Sequence, residues 1–252
     1  MNNILNVREV TKTFGMLHAL DSVSLDVGEK TLTILIGPNG SGKTTLINTV
    51  MGYYKPDSGS INYSGKEIAG LPAYKIYGLG LARTFQIPAL FWKLTVLENL
   101  MVAEKRHPGE SFVKSVVARY WREKEEETAA KASRILAILG LSEAWSTPAN
   151  KLSGGQMKLV EIGRALMSDA AMLLLDEPVS GVNPTLAHEI FAKLVRLRNE
   201  LGVTFLIVEH RLDIALEYVD QVEVMAYGKM IASGPTEEVM NDPKVAEAYL
   251  GA

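Results

Sequence analysis

The sequence contains no cysteine among its 252 residues. Disulfide bonds, thiolate metal sites and cysteine nucleophiles are therefore excluded, and the absence of disulfides is consistent with a reducing compartment. The sequence also lacks an apolar run of the roughly 18 to 20 residues that a membrane helix needs, since the run at 170–175 has the length of a strand. No basic segment precedes a long apolar stretch near residue 1, so we expect no signal peptide. A role at a membrane would require a partner.

An excess of positive charge is missing as well. The formal net charge is −3, with 22% charged residues, which is typical of an ordinary globular protein and gives no electrostatic indication of nucleic acid binding. We therefore expect no nucleic acid partner, although a local basic face is not excluded by the net charge. Internal repeats are also absent, which excludes two tandem copies of one catalytic domain.

The run GPNGSGKT at 37–44 follows an apolar run at 31–36 and precedes a helix-like segment at 45–51. Strand, glycine loop and helix in this order are the context of a phosphate-binding P-loop. The glycines let backbone N–H groups point at an anion, and the helix N-terminus adds the positive end of its dipole. Lys43 would reach the β- and γ-phosphates, and Thr44 would supply a hydroxyl to Mg²⁺. We expect a nucleoside triphosphate to be bound by Gly37, Pro38, Asn39, Gly40, Ser41, Gly42, Lys43, Thr44 and Thr45.

Two carboxylates end a second apolar run. Asp176 and Glu177 follow the residues at 172–175, so a buried strand would deliver both acids at the carboxyl edge of a sheet, beside the phosphate loop. Asp176 would hold Mg²⁺ directly or through water, and Glu177 is placed to polarise the water that attacks the γ-phosphate. An acidic pair after a strand is weak evidence alone, and the P-loop upstream gives it this meaning.

The run LSGGQ at 152–156 indicates a second helix end that can bind an anion. Its serine can cap the following helix, and its glycines let the first amides approach an anion closely. With GPNGSGKT and LLLDE in this order, the run resembles the signature of ABC-type ATPases, and the resemblance covers essentially the whole chain. In that family two ATPase domains face each other head to tail, with each ATP between one P-loop and the partner's signature. The signature residues that the resemblance assigns to ATP are Ser153, Gly154, Gly155 and Gln156.

The resemblance implies further site residues. Gln86, in the run RTFQ, matches a glutamine that contacts Mg²⁺ and the attacking water and senses the membrane partner. His210, in the run VEH, matches the switch histidine that touches the γ-phosphate. Phe14 matches the aromatic residue that stacks on adenine, with core packing as the alternative. Asn183 departs from the aspartate of many members, keeping the acceptor oxygen but losing the charge. Because Glu177 and His210 are both present, the asparagine at 183 does not imply that the ATPase is inactive.

Several runs resemble one branch of the family, the ATPases of branched-chain (hydrophobic) amino acid importers. They are VNP at 182–184, LTVLENL at 94–100, VEHRLD at 208–213 and the tail from residue 228. The charged helical stretch around 105–130 is similar to that of the longer of the two ATPase types in such importers. Urea-type importers and lipopolysaccharide-export ATPases look similar, and a soluble ABC ATPase acting on DNA or ribosomes is the alternative from another class.

The branch implies ATP and Mg²⁺ as cofactors and a position on the cytoplasmic face of the cell membrane. It also implies two transmembrane permease subunits, a second ABC ATPase (a related chain or another copy) and, indirectly, an extracytoplasmic substrate-binding protein. The apolar loop at 87–92 is the candidate surface for the permease, with local core packing as the alternative.

The alternation of strand and helix patterns predicts an α/β fold. We expect a P-loop NTPase core, with a mostly parallel sheet and helices on both faces, plus an antiparallel β subdomain and an inserted helical subdomain. One ABC ATPase domain would comprise a core at 1–86 and 151–232, a helical insertion at 87–150 and a helical tail at 233–252. A hairpin at the sheet edge would precede the tail.

Overall fold

The computed structural model describes residues 2–84, 89–105 and 121–250. Contacts divide the chain into two compact units, one formed by Met1–Arg83 with Ala171–Ala252 and the other by Thr84–Ala170. The sequence predicted functional boundaries after 86 and after 150, and the second contact unit also includes the helix that follows LSGGQ. Within the described ranges, no helix is long and apolar enough to cross a membrane.

All the described strands lie in the first unit and form two sheets. The strands are β1 (Asn3–Phe14), β2 (Leu17–Gly28), β3 (Leu32–Ile36), β4 (Ser58–Tyr63), β5 (Lys66–Glu67), β6 (Leu81–Arg83), β7 (Met172–Asp176), β8 (Thr204–Val208), β9 (Gln221–Ala226) and β10 (Lys229–Gly234). The antiparallel sheet has the strand order β2-β1-β4-β5, and the larger sheet has the order β10-β9-β3-β8-β7-β6.

The helices are distributed over both units, and those of the second unit are α3, α4 and α5. The described α-helices are α1 (Lys43–Val50), α2 (Ala73–Gly78), α3 (Val96–Met101), α4 (Arg122–Leu139), α5 (Gly154–Met167), α6 (Pro184–Leu201), α7 (Leu212–Ala215), α8 (Thr236–Met240) and α9 (Pro243–Leu250). Short 3₁₀ turns at Ser142–Ala144 and Ala149–Lys151 join α4 to α5.

The larger sheet has the mostly parallel arrangement that the sequence predicted. Strands β3, β6, β7, β8 and β9 pair in parallel, and only β10 runs antiparallel, beside β9 at one edge. Every residue of β3 and β8 is buried, as expected for strands covered on both faces. The α/β fold and the edge hairpin are therefore confirmed.

The register of three neighbouring strands positions the polar residues that follow them. Leu35 of β3 lies beside Val208 of β8, and Val208 lies beside Asp176 of β7. The three strands therefore end at nearly the same level of the sheet. The P-loop, the acidic pair and the loop with His210 each follow one of these strands, so all three converge at the carboxyl edge, where α/β sheets bind their ligands.

The second unit is a helical body in which α3, α4 and α5 pack against one another. Both α3 and α4 approach α5 closely at Gly163. A Cβ atom there would lie 3.1 Å from Leu139 of α4 and 3.3 Å from Leu100 of α3. The absence of a side chain at this position thus sets the spacing of the three helices.

We expect Gly163→Val to lower the free energy of unfolding by about 1–3 kcal/mol, because the added methyl groups overlap two buried leucines. Urea unfolding followed by circular dichroism measures the change. Ala137→Val, at an exposed position of α4, is the matched control and should cost only the few tenths of a kcal/mol of helix propensity. Equal losses in the two variants would contradict tight packing at Gly163.

A buried carboxyl group lies between the strands of the edge hairpin. Glu223 of β9 is 2% exposed. Its Oε1 accepts hydrogen bonds from Ser233 Oγ at 2.8 Å and Gln221 Nε2 at 3.4 Å. Burial raises the pKa of Glu223 to about 7, the two hydrogen bonds oppose this rise, and the nearby carboxylate of Asp26 adds to it.

The raised pKa makes stability dependent on pH. Between the unfolded pKa of 4.5 and the folded value of about 7, the folded state holds more protons, so the free energy of unfolding falls as the pH rises. We expect Glu223→Gln to remove this dependence and to stabilise the protein at pH 8 by about 1–3 kcal/mol. Urea unfolding at pH 5 and pH 8 tests it, and a wild-type-minus-variant difference that does not change with pH would contradict it.

Candidate functional site

The loop after β3 needs glycine at two positions. Gly37 and Gly42 have φ angles of 147° and 105°. A Cβ atom would lie 2.0 Å from Met225 O at Gly37 and 2.5 Å from Ala19 O at Gly42. No side chain caps the N-terminus of α1. The first N–H groups of that helix therefore keep the capacity to bind an anion, which fits a phosphate group.

The Lys43 side chain folds back over this loop. It is 6% exposed, and its Nζ donates to Gly37 O at 2.7 Å, Pro38 O at 3.0 Å and Ser41 Oγ at 3.4 Å. Burial lowers the pKa of Lys43, and the carboxylates of Glu177 and Asp176 oppose this effect. The amine is thus held within the field of the acidic pair, at the start of the helix.

Asp176, the last residue of β7, forms an ion pair with Arg83 at the end of β6. Arg83 Nη2 lies 2.7 Å from Asp176 Oδ2, and Arg83 Nη1 donates to Asn48 Oδ1 of α1 at 2.6 Å. One guanidinium group therefore joins two strands of the sheet to the helix of the P-loop. Arg83 was not predicted as a site residue, and its only signal in the sequence was its place in the run RTFQ.

Glu177 and His210 face each other across the ends of β7 and β8. His210 Nε2 lies 3.4 Å from Glu177 Oε1, and Glu177 N donates to Val208 O at 2.9 Å. Glu177 has a φ angle of 49°, a left-handed conformation that is unfavourable for a residue with a side chain and is often found at functional sites. The strained backbone aims the carboxylate at the histidine and the P-loop.

The acidic pair, His210 and most of the P-loop residues line one cleft of about 620 Å³ in the first unit. The lining also includes further residues to which the sequence motifs assigned no role at the site. These further residues are Leu17, His18, Ala19, Val208, Tyr227 and Gly228. The volume lies within the usual range for small-molecule sites.

Phe14 is not among the residues that line this cleft. It is 44% exposed, so it does not pack in the core either. Its ring makes an edge-to-face contact with Tyr54, with centroids 5.2 Å apart, and Lys12 Nζ lies 5.6 Å from the ring centroid. Two large side chains that do line the cleft near β2 and the edge hairpin are those of Leu17 and Tyr227.

The LSGGQ run lies in the second unit, at the N-terminus of α5. Ser153 Oγ accepts from Gln156 N at 3.3 Å, and Gln156 Oε1 accepts from Ser153 N at 3.0 Å. This capping box satisfies two backbone donors and fixes the start of the helix. The flanking Gly154 has open space where a Cβ atom would be, so its backbone is accessible at the helix end.

Two other expectations concern the start of the second unit. Gln86 lies outside the described residues, as do the first two residues of the proposed docking loop at 87–92. In the described part of that loop, Leu90 is buried, whereas Phe91 and Trp92 are about half exposed. The Arg164 guanidinium lies 5.2 Å from the centroid of the Phe91 ring.

Asn183, the departure from the family pattern, is the N-cap of α6. Its Oδ1 accepts from Leu186 N at 2.9 Å, and Pro184 occupies the first turn. Asparagine and aspartate are equally good N-caps. The substitution therefore keeps the local structure while it removes one negative charge.

A glycine loop between a buried strand and a helix, with acids at the end of a neighbouring strand, defines a P-loop nucleotide-binding protein. Comparison with protein families gives the class more narrowly. The family model of the ABC transporter matches residues 20–180, and that of the branched-chain amino acid ATP-binding cassette transporter matches residues 229–252. The chain belongs to the ABC transporter family, in its branched-chain amino acid ATP-binding cassette branch, and is an ATPase.

Similar proteins match along nearly the full length. The "Probable branched-chain amino acid transport ATP-binding protein LivG" of Archaeoglobus fulgidus is 50% identical over 99% of this chain and 96% of its own. The high-affinity branched-chain amino acid transport ATP-binding protein BraF of Pseudomonas aeruginosa is 39% identical over 98% of both. Crystal structures of ATP-binding cassettes of ABC transporters, one nucleotide-free and one in the ADP conformation, match with TM-scores of 0.85 and 0.86, at 46% identity and with complete coverage of both chains.

Proposed function

We propose that the chain is the ATP-hydrolysing subunit of an importer of branched-chain or other hydrophobic amino acids. The observation that carries the proposal is the cleft in which the P-loop, the acidic pair and His210 converge. The substrate class rests on the relatives, whose names give branched-chain amino acid transport. No residue of this chain would contact the transported substrate.

Each cleft residue then has a role in hydrolysis. The P-loop amides and Lys43 bind the β- and γ-phosphates, because N–H groups at a helix N-terminus and a neighbouring cation favour an anion. Glu177 accepts the proton of the attacking water, and His210, 3.4 Å from it, contacts the γ-phosphate and keeps the carboxylate oriented. Phe14 is retained as the proposed adenine contact, with Leu17 and Tyr227 as additional residues at that end.

The oxygen groups beside the P-loop fit Mg²⁺. The Thr44 hydroxyl and the Asp176 carboxylate are hard ligands of the kind this ion prefers, and Mg²⁺ at such sites is bound by one or two protein groups together with phosphates and water. Bound there, the ion would neutralise charge on the phosphates. Arg83 already contacts one oxygen of Asp176, which favours contact through the other oxygen or through water. Gln86 is the third proposed ligand.

We further propose a head-to-tail dimer with a second ABC ATPase, either a related chain or another copy. A related cassette, 25% identical with a TM-score of 0.73, is described as a dimer in a post-hydrolysis state bound to ADP and Pi. Ser153, Gly154, Gly155 and Gln156 would contact the γ-phosphate of the partner's ATP. ATP would close the dimer and hydrolysis would reopen it, as a ligand shifts a two-state equilibrium.

The membrane partners follow from the same proposal. Two permease subunits would bind the helical insertion and the loop at 87–92, of which Phe91 and Trp92 are exposed, and an extracytoplasmic binding protein would deliver the substrate. The chain would lie on the cytoplasmic face of the membrane, with a nucleotide-binding core, a helical insertion and a C-terminal tail as its functional parts. A urea importer or a lipopolysaccharide-type exporter would use the same machinery, with different permeases.

The test combines purification with transport. The chain is tagged in its host, extracted from gently solubilised membranes, and its partners are identified. Uptake of labelled leucine is measured in cells that carry the wild type or Glu177→Gln. Two different permeases, a second ATPase and leucine uptake that the variant abolishes are expected. Recovery only with ribosomes or DNA-processing proteins would contradict the transport role, and co-purifying permeases without an effect on leucine uptake would contradict the substrate.

A further inference from the structure

Glu209 is a buried acid to which no role in hydrolysis has been assigned. It follows β8 directly, one residue before His210, and is 2% exposed. A carboxylate at such a position is costly unless its oxygens accept hydrogen bonds. Its bonding partners therefore indicate what the residue does.

The two oxygens of Glu209 bind two different loops. Oε1 accepts from Val179 N at 2.8 Å, in the loop after β7. Oε2 accepts from His210 N at 2.9 Å and from Arg211 N at 3.2 Å, in its own loop. The loop that carries Glu177 is thus joined to the loop that carries His210 through one side chain.

A second contact joins the same two loops. Arg211 Nη1 donates to Val182 O at 3.3 Å, and Arg211 Nη2 lies 3.2 Å from Asp213. This contact is longer and more exposed than those of Glu209. The Glu209 carboxyl group is therefore the closer connection between the two loops, since it accepts three backbone hydrogen bonds of 2.8, 2.9 and 3.2 Å.

We propose that Glu209 is a positioning residue that holds His210 at its distance from Glu177. The inference rests on the proposed roles of those two residues in hydrolysis. The carboxylate fixes the backbone N–H groups of Val179 and His210 relative to each other, and so determines how far the imidazole lies from the Glu177 carboxylate, now 3.4 Å.

The main variant is Glu209→Gln, which keeps the size of the side chain. An amide has one acceptor oxygen and one donor group, so it satisfies one of the two loops and presents its NH₂ group to the N–H donors of the other. We expect kcat for ATP hydrolysis to fall about 10- to 100-fold, since misplacement by about 1 Å can cost this much. The KM for ATP should change by less than about 2-fold, because the P-loop is untouched. If this variant does not fold, Glu209→Asp is used for the same measurement. Its shorter side chain is expected to reach only one of the two loops, so the same fall in kcat is expected.

Leu206→Ala is the control for general destabilisation. Leu206 is buried in β8, three residues before Glu209, and its apolar side chain forms no hydrogen bond with either loop. Thermal melts of both variants are recorded with the rates. We expect Leu206→Ala to lower the melting temperature at least as much while retaining most of its kcat. An equal fall of kcat in this control would overturn the inference.

The double variant Glu209→Gln/His210→Ala separates positioning from any independent effect. If Glu209 acts through His210, the double variant is no slower than His210→Ala alone. If instead the falls in kcat of the two single variants multiply in the double variant, the inference is overturned, while the role of His210 stands. Full activity of His210→Ala itself would remove the proposed role of the histidine, and the inference with it.

Discussion

Glu177→Gln should bind ATP with nearly unchanged affinity and hydrolyse it about 10²–10³-fold more slowly than the wild type. Glutamine matches the size of glutamate but cannot accept the proton of the attacking water. The left-handed backbone at this position, with φ of 49°, and the hydrogen bond from its N–H to Val208 O do not depend on the carboxylate. The variant should therefore accumulate as the closed, ATP-bound dimer.

Phosphate release and size-exclusion chromatography with ATP and Mg²⁺ measure the two effects of this change. Glu189→Gln, at an exposed position of α6, is the matched control and should keep both the rate and the monomer–dimer distribution of the wild type. Turnover near the wild-type rate in Glu177→Gln would remove this residue from its proposed role, since no other change is introduced into the cleft.

Lys43→Ala should weaken the binding of ATP about 10²-fold, which corresponds to about 2.7 kcal/mol. The variant loses a cation that the loop holds in place through Gly37 and Pro38, with Nζ distances of 2.7 and 3.0 Å. A phosphate ligand gains charge-assisted hydrogen bonds from such an amine. Truncation removes these bonds and leaves the loop carbonyls without their donor.

Isothermal titration with ATP measures the loss in Lys43→Ala. Lys66→Ala, at an exposed position of β5 in the same unit, removes one positive charge away from the cleft and should leave the affinity unchanged. Circular dichroism must show that both variants are folded. An affinity of Lys43→Ala within a factor of about 3 of the control would count against the proposed phosphate site.

The sequence predicted those parts of the fold that have a local pattern. The apolar runs that became β3, β7 and β8 are long enough and apolar enough to indicate buried strands, and the glycine run between β3 and α1 has only one common structural meaning. The edge hairpin was predicted because a Tyr-Gly turn separates two apolar segments. In each case the residues that carry the signal are neighbours in the sequence.

The contacts that the sequence did not predict join residues far apart in the chain. Arg83 and Asp176 are separated by 93 positions, and Val179 and Glu209 by 30. No periodicity connects such pairs, because their meeting depends on the order of strands in the sheet. The membership of α5 in the second unit has a similar origin. The helix α5 follows a site motif, but its buried face packs on α3 and α4.

The neutral cap at Asn183 affects the electrostatics of α6. The first turn of this helix contains no acidic residue, so nothing there neutralises the positive end of the helix dipole. An aspartate would bind the same N–H group and would also cancel most of that partial charge. With asparagine, the helix keeps its hydrogen-bonded start, while its dipole contributes a positive potential to the loop at 180–183 that falls off within about one turn and is screened by salt.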